Sequence, residues 1–432
     1  MTDRLWRDHR FATYWAAQSV SQLGDRVSEL ALPLIAVTML QASPTAVGLL
    51  TAAIWAPNLL SLVVGAWEGQ RPSKRRLLVV ANLVQSFAVI GLPVAFWLGH
   101  LAMWQLYAAA LVLGAGGVLY QTSYPTFFAH LVRRDQYVEA NSLLSTTRSG
   151  SFIAGPAIGG ALIQVVTAPV AMVVDAVSFL FSALIIGSVR VDEGQTDDAT
   201  AAAPERLLRR AWQGLAFLRR HPYLRASLAC ATTLNFFSFM VSAVLILFAS
   251  RTLGLEAGQI GLAFGIGALG GLVGAVLASR FARRVGTGRA IAVGAVAFCA
   301  PFALIPFASG APVTKMAVLA AAEFVGAMGV MVFDVNLNSL QTAVTPDHMR
   351  SRVAGAFSTV NYGIRPLGAV VGGLAGSAFG VGPTLVAAAV GGSLSSLWLL
   401  GSPIITTRSV ADLEPVDVPV VPVAPSRGPR PV

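Results

Sequence analysis

Residues 145–160 read "STTRSGSFIAGPAIGG", and 213 positions later residues 358–373 read "STVNYGIRPLGAVVGG". Ser145, Thr146 and four glycines (Gly150, Gly155, Gly159, Gly160) recur in place. The same offset carries Gly48 onto Gly261 and Tyr120-Gln121 onto Phe333-Asp334. An offset close to half of a 432-residue chain means two structurally equivalent halves. In a membrane protein, parallel repeats of this kind place a transport site between the halves.

The composition supports a membrane setting. Hydrophobic residues make up 55% of the chain and charged residues 12%, about half the charged fraction of a soluble domain. Apolar stretches long enough to cross a bilayer predict twelve spans, near 12–38, 44–67, 77–98, 102–125, 146–167, 169–189, 226–249, 258–280, 289–308, 314–338, 354–376 and 382–405. The predicted class is an all-α membrane protein of two pseudo-symmetric six-helix bundles, residues 1–190 and 226–410. Between them, residues 191–225 form a linker, polar at first and then amphipathic. Leu208, Ala211, Trp212, Leu215 and Leu218 share one helical face; that face suits the membrane surface or the protein surface equally. Residues 411–432 are Pro-rich and predicted to be disordered. The first apolar stretch, interrupted by charge, does not resemble a cleavable signal.

The net charge of +10 raises the possibility of nucleic-acid binding, and its distribution argues against it. Of the 30 basic residues, 25 fall before the first span, in the even-to-odd loops or in the tail. Only Arg251 and Lys315 fall on the other side, and Arg26, Arg148 and Arg365 lie within or beside spans. This is the positive-inside bias; it places the chain in the cytoplasmic membrane with both termini in the cytoplasm.

Charges at membrane depth are the first functional candidates. Asp25, Arg26 and Glu29 each cost about 3 kcal/mol at a helix centre, and each nearby Leu, Ile or Val returns only about 0.5 kcal/mol. The first span must therefore face protein or water. Asp25 and Glu29 share a helical face, with Arg26 turned about 100° away. Two carboxylates there suit a proton or substrate role; the bland alternative is an ion pair of Asp25 with Arg26 or Arg148. Glu323 and Asp334 are acids in one half only, since their repeat partners are Ala110 and Gln121. Asp175 in span six is read as a structural hydrogen bond or ion pair. Trp55, Asn58, Tyr120, Gln121, Asn235 and Phe236 are candidates for the lining of an amphipathic pocket.

Other motifs carry less. "GPAIGG", with Gly155, Pro156, Gly159 and Gly160, permits close helix packing or a gate-shaping bend. "GIGALG" matches the dinucleotide fingerprint but lies inside an apolar span with no preceding strand. No Walker sequence, metal-ligand spacing or catalytic triad stands out, so no enzyme activity, cofactor or metal is expected.

The stretches "FATYWAAQSVSQLGDRVSELALPL", "PTAVGLLTAAIWAPNLL", "EANSLLSTTRSGSFIAGPAIGGALI" and "DAVSFLFSAL" resemble the Major Facilitator Superfamily. The nearest branch is that of bacterial exporters of the enterobactin-exporter and macrolide-efflux type. The resemblance covers about residues 5–408. It implies two bundles rocking about a cavity lined by spans 1, 4, 7 and 10, and "GPAIGG" is similar to the antiporter motif of efflux members. Two features depart from the pattern. The loop after span two reads "GAWEGQRPSKRR": Gly65 and the basic Lys74, Arg75 and Arg76 fit, but Gly69 replaces the usual Asp, with Glu68 one residue away. Span four lacks a membrane Arg; Arg148 is the nearest replacement. Gly65, Glu68, Arg75, Gly372 and Gly373 join the "GPAIGG" residues as gating or packing candidates.

The sequence thus predicts a proton-coupled exporter of a small amphipathic organic molecule, acting as a monomer in the lipid bilayer. An uptake symporter on the same fold and a non-transporting receptor or scaffold remain the alternatives.

Overall fold

The computed structural model describes residues 9–69, 71, 73–189 and 204–415, which are helices and connecting turns with no strand among them. The first half contains α1 (His9–Leu34), α2 (Pro44–Trp55), α3 (Ser61–Gly69), α4 (Lys74–Trp97), α5 (Met103–Leu131), α6 (Tyr137–Val166) and α7 (Ala168–Ser188). A linker helix, α8 (Pro204–Arg220), leads into α9 (Pro222–Leu247), α10 (Ala257–Val285), α11 (Thr287–Cys299), α12 (Pro312–Val344), α13 (Arg350–Phe379), α14 (Val381–Leu394) and α15 (Leu397–Leu400). A 3₁₀ turn, Ala56–Leu60, joins α2 to α3 as one span. Another, Ala300–Phe307, extends α11, and α14 with α15 forms the last span. Among the described residues, twelve helices or joined helix pairs correspond to the twelve predicted spans, and nine helical segments are long and apolar enough by themselves to cross a membrane.

The repeat is visible at the helix ends. Adding 213 to Leu34 gives Leu247, where α9 ends. Adding it to Tyr137 and Val166 gives Arg350 and Phe379, the bounds of α13. The π turns at Ile35–Met39 and Phe248–Thr252 obey the same offset. So do the left-handed residues after them, Gln41 (φ 48°) and Gly254 (φ 71°), and the pair Thr167 (φ 78°) and Gly380 (φ 89°). Several helices are longer than predicted, α6 beginning at Tyr137 instead of near 146. Hydropathy marks only the lipid-immersed part, whereas the backbone keeps its helical bonds into water.

Packing divides the molecule by depth. One end of the bundle carries the arginine-rich loops (Arg75, Arg133, Arg134, Arg283, Arg284); the opposite end has Arg251 and Lys315. Toward the neutral end, a single apolar core runs through both halves, from Leu30 and Val47 to Val244, Ile260 and Ala369. Toward the basic end the core divides. Phe11, Tyr14, Leu78 and Phe127 belong to the first half, and Cys230, Ile291, Phe333 and Leu337 to the second. Outward-facing Phe87, Trp97, Val165 and Phe379 are exposed, as helices that meet lipid require.

The C-terminal part of the linker helix packs on the protein. Phe217 and Leu218 are buried with Val344, Met349, Val353 and Ala356 of the second half, and Gly214 lies against the Arg352 backbone. Trp212 stays exposed. The polar start of the linker and the Pro-rich tail beyond residue 415 lie outside the described residues.

Candidate functional site

The glycines of the repeat seal the neutral end. Gly48 of α2 meets Gly373 of α13: a Cβ on Gly48 would stand 2.7 Å from the Gly373 Cα and 2.6 Å from the Ala369 carbonyl oxygen. Gly160 of α6 meets Gly261 of α10, where a Cβ on Gly160 would stand 2.9 Å from the Gly261 Cα. These crossings are images of one another, since 48 + 213 = 261 and 160 + 213 = 373. The adjacent glycines face inward within each half, Gly159 on Val27 and Gly372 on Met240. In "GPAIGG", Gly155 and Gly159 seat α6 on α1, and Gly160 with the Pro156 carbonyl meets the other half, which is close packing. Hydrogen bonds joining the halves cluster at this end, from Gln164 to Glu256 at 2.5 Å, between Thr45 and Ser377 at 2.7 Å, and from Arg251 to the Val37 carbonyl at 2.7 Å.

Below this seal lies a cavity of about 440 Å³ walled by the first half. Asp25, Glu29, Trp55, Asn58, Tyr120, Gln121 and Arg148 all line it. Seven of the eleven coupling and pocket candidates are thus brought together. α1 also contributes Gln18, Gln22 and Ser28, which the sequence reading passed over; their common face with Asp25 was the available signal. Arg26, expected to point away from Asp25, lines the cavity too. Tyr120 donates to Gln18 at 2.7 Å and contacts the hydroxyl of buried Tyr14 at 2.7 Å. Tyr124 stacks on Tyr120 with ring centres 5.6 Å apart.

Arg26 pairs with Glu29 at 2.6 Å, three residues on and on a neighbouring face of the helix; its side chain occupies space left by Gly155 and lies over the Phe152 ring at 5.3 Å. Asp25 has no ion pair or hydrogen bond among the described residues, and the same is true of Arg148, whose charge faces Tyr120 and Tyr124. The cavity therefore holds one acid and one base, both uncommitted.

The second-half candidates lie elsewhere. Asn235 hydrogen-bonds Asn361 at 3.3 Å and accepts from Arg365 Nε at 3.1 Å. Phe236 packs edge-on against Phe237 and under Gly368. Glu323 lies against Gly267 of α10, and Asp334 faces Arg365 electrostatically. None of these four lines the cavity. The residue that sequence reading missed is Arg365. Its guanidinium lies 4.5 Å from the Trp55 ring centre, 4.2 Å from Tyr362 and 5.1 Å from Phe239. Trp55 thus touches the second half while lining the cavity of the first. The backbone tightens to the 3₁₀ turn just after Trp55, with Pro57 in its first positions, and the Asn58 side chain donates to the Trp55 carbonyl at 3.3 Å.

The loop after α3 ties down its own half. Glu68, the displaced acid, pairs with Lys74 at 2.9 Å, both buried. Arg75 donates to the Gly187 carbonyl of α7, and Gly65 lies against Thr122 of α5.

Solved transporters share this architecture. A mutant of the nucleoside transporter NupG superposes with a TM-score of 0.72 at 12% identity, over 91% of this chain and 99% of that one. A bacterial homologue of the iron transporter ferroportin in its inward-facing state gives 0.71 at 16% identity, over 92% and 100%. In sequence, the multidrug efflux pump Tap of Mycobacterium tuberculosis (strain ATCC 25618 / H37Rv) is 26% identical over 421 residues, covering 95% of this chain and 96% of Tap. The Major Facilitator Superfamily profile matches residues 14–369. With the repeat, the paired bundles and this match across most of its length, the chain belongs to the Major Facilitator Superfamily.

Proposed function

We propose that this transporter exports a small amphipathic organic molecule in exchange for protons, by alternating access. The observation that carries the reading is the position of Asp25: an uncommitted carboxylate in a polar, aromatic-lined cavity below a sealed neutral end. Assigning the basic end to the cytoplasm by the charge bias makes this the cytoplasm-facing state. Substrate then enters from the cytoplasmic side, and opening the glycine crossings releases it outward. Asp25 exchanges a proton between the two states, with Arg148 supplying the fixed positive charge. Trp55, Tyr120, Gln18 and Gln121 offer stacking and hydrogen bonds to a molecule with apolar and polar faces. The similarity to Tap supports export and this substrate class.

Inside-out membrane vesicles with an imposed pH gradient test the reading, using a panel of fluorescent amphipathic dyes. Gradient-dependent dye uptake into the lumen is expected, and Asp25→Asn should lose the response to the gradient. Wild-type coupling in that variant removes Asp25 from the mechanism. Gradient-driven dye exit from the lumen identifies an uptake symporter instead.

A further inference from the structure

One titratable group of the first half has no role in the transport scheme above. Asp175 of α7 is fully buried, one layer behind the cavity wall. Ser28 of α1 donates to its Oδ2. Ser28 itself lines the cavity, and Asp175 does not. On the other side, Ser178 approaches the Asp175 main-chain oxygen at 2.8 Å and Oδ1 at 3.2 Å. Both are contacts of one hydroxyl, which donates to the ionised carboxylate as well as to the main-chain oxygen; when a proton sits on Oδ1, the hydroxyl keeps its main-chain bond and its oxygen can accept from Oδ1.

The surroundings agree. No Lys, Arg or His pairs with Asp175 among the described residues. The charges that reach it are Asp25 and Glu29 of α1, both acids, and the guanidinium of Arg26 is committed to Glu29. From α4, packed against α7, come Asn82, bonded to Ser182 at 3.1 Å, and Ser86, bonded to the Ala176 carbonyl at 2.7 Å; both are uncharged. An ionised carboxylate in this place would be a buried charge without a counter-ion. Gly24 closes the site above: a side chain there would collide with Asp175 and Ser178.

We propose that Asp175 is a second proton-binding carboxyl of this transporter, loaded and emptied from the cavity through the hydroxyl of Ser28. On loading, Ser28 passes its hydroxyl proton to Oδ2 and regains one from the cavity, and rotation of the carboxyl group carries the acid proton to the Ser178 side. Release is the reverse. The sequence supports a hydrogen-bonded acid at this position; the two serines and the missing cation make it a store. The proposal rests on the proton-coupled reading and adds a site behind Asp25.

Infrared spectroscopy of the full-length protein in lipid bilayers tests this without any substrate. At neutral pH the carbonyl stretch of a protonated carboxylic acid is expected, together with its downshift on transfer to deuterium oxide. Asp175→Asn should lose this band. Ser28→Ala should shift it and slow its deuterium exchange severalfold. An unchanged spectrum in Asp175→Asn overturns the proposal, and so does exchange at the wild-type rate in Ser28→Ala. Should Asp175→Asn fail to fold, Ser28→Ala alone decides. If Asp25→Asn keeps full gradient coupling while the Asp175 band behaves as described, the coupling role of Asp25 falls and the Asp175 site stands.

Discussion

The first half places Arg26 of α1 over Phe152 of α6. The second half places Arg365 of α13 over Phe239 of α9. Adding 213 to 26 and 152 gives 239 and 365, so the two contacts occupy one structural position with cation and ring exchanged. On α1 the cation can pair with Glu29, so the first half neutralises one acid of its cavity and leaves Asp25. On α13 the cation meets Asn235, where the first half has Gln22, and reaches across to Trp55. The repeat preserves the scaffold contact, and the exchange sends one arginine into a cavity wall and the other onto the opposite half.

The largest effect should come from breaking the symmetry where it is tightest. Gly48→Val and Gly261→Val overpack equivalent crossings, at a cost of about 1–3 kcal/mol to the sealed state. That shifts the balance toward the neutral-end-open state about 5- to 150-fold. Spin-label distances across α2–α13 and α6–α10 should lengthen together in either variant. If only the mutated crossing widens, the halves do not move as rigid units.

A double-mutant cycle sharpens the exchanged pair. Arg365→Phe and Phe239→Arg should each destabilise by roughly 0.5–2 kcal/mol, the range of a cation–π contact. The double variant restores the contact within the half and leaves Trp55 without its cation. Thermal unfolding should show partial recovery, with transport still impaired; full recovery of both would remove the Trp55–Arg365 contact from function.

A smaller effect is expected at the left-handed turn. Thr167 holds φ 78° and ψ 155°, a conformation that a β-branched side chain resists and that Gly380 adopts without a Cβ. Thr167→Gly should raise stability by about 1 kcal/mol, read as a higher Tm.

The smallest concerns α8, which has no counterpart preceding α1 among the described residues. His221 is buried beside Phe217 and Tyr223, with no hydrogen-bond partner for either ring nitrogen. Burial holds its pKa below the ordinary value. The unfolded state therefore binds more protons as pH falls below about 6.5, and stability is lost on acidification. The hydrogen-exchange protection factors of α8, corrected for the intrinsic pH dependence of exchange, should fall between pH 8 and pH 5, and His221→Phe should remove that fall.

Sequence reading reached the spans, the two halves and the repeated glycines, since each leaves a periodic or repeated mark; it expected a cavity lined from both halves, whereas the one that gathers seven of its candidates is walled by the first half. It grouped Glu323 with Asp25 because both are acids at membrane depth, yet Glu323 lies against Gly267 within its own bundle. Depth is set by position along a helix; the facing partner is set by rotation about it. Arg365 was visible as a charge in a span, and only its aromatic neighbours from three helices show what it touches.

By itself the sequence determined a twelve-span, two-fold repeated membrane protein, because burying backbone in lipid leaves few alternatives to helices. Tertiary structure alone decided which glycine meets which, which arginine pairs and which acid stays uncommitted. Between helices in a bilayer there is no hydrophobic pattern to read, and the fit of small residues and polar contacts fixes the partners.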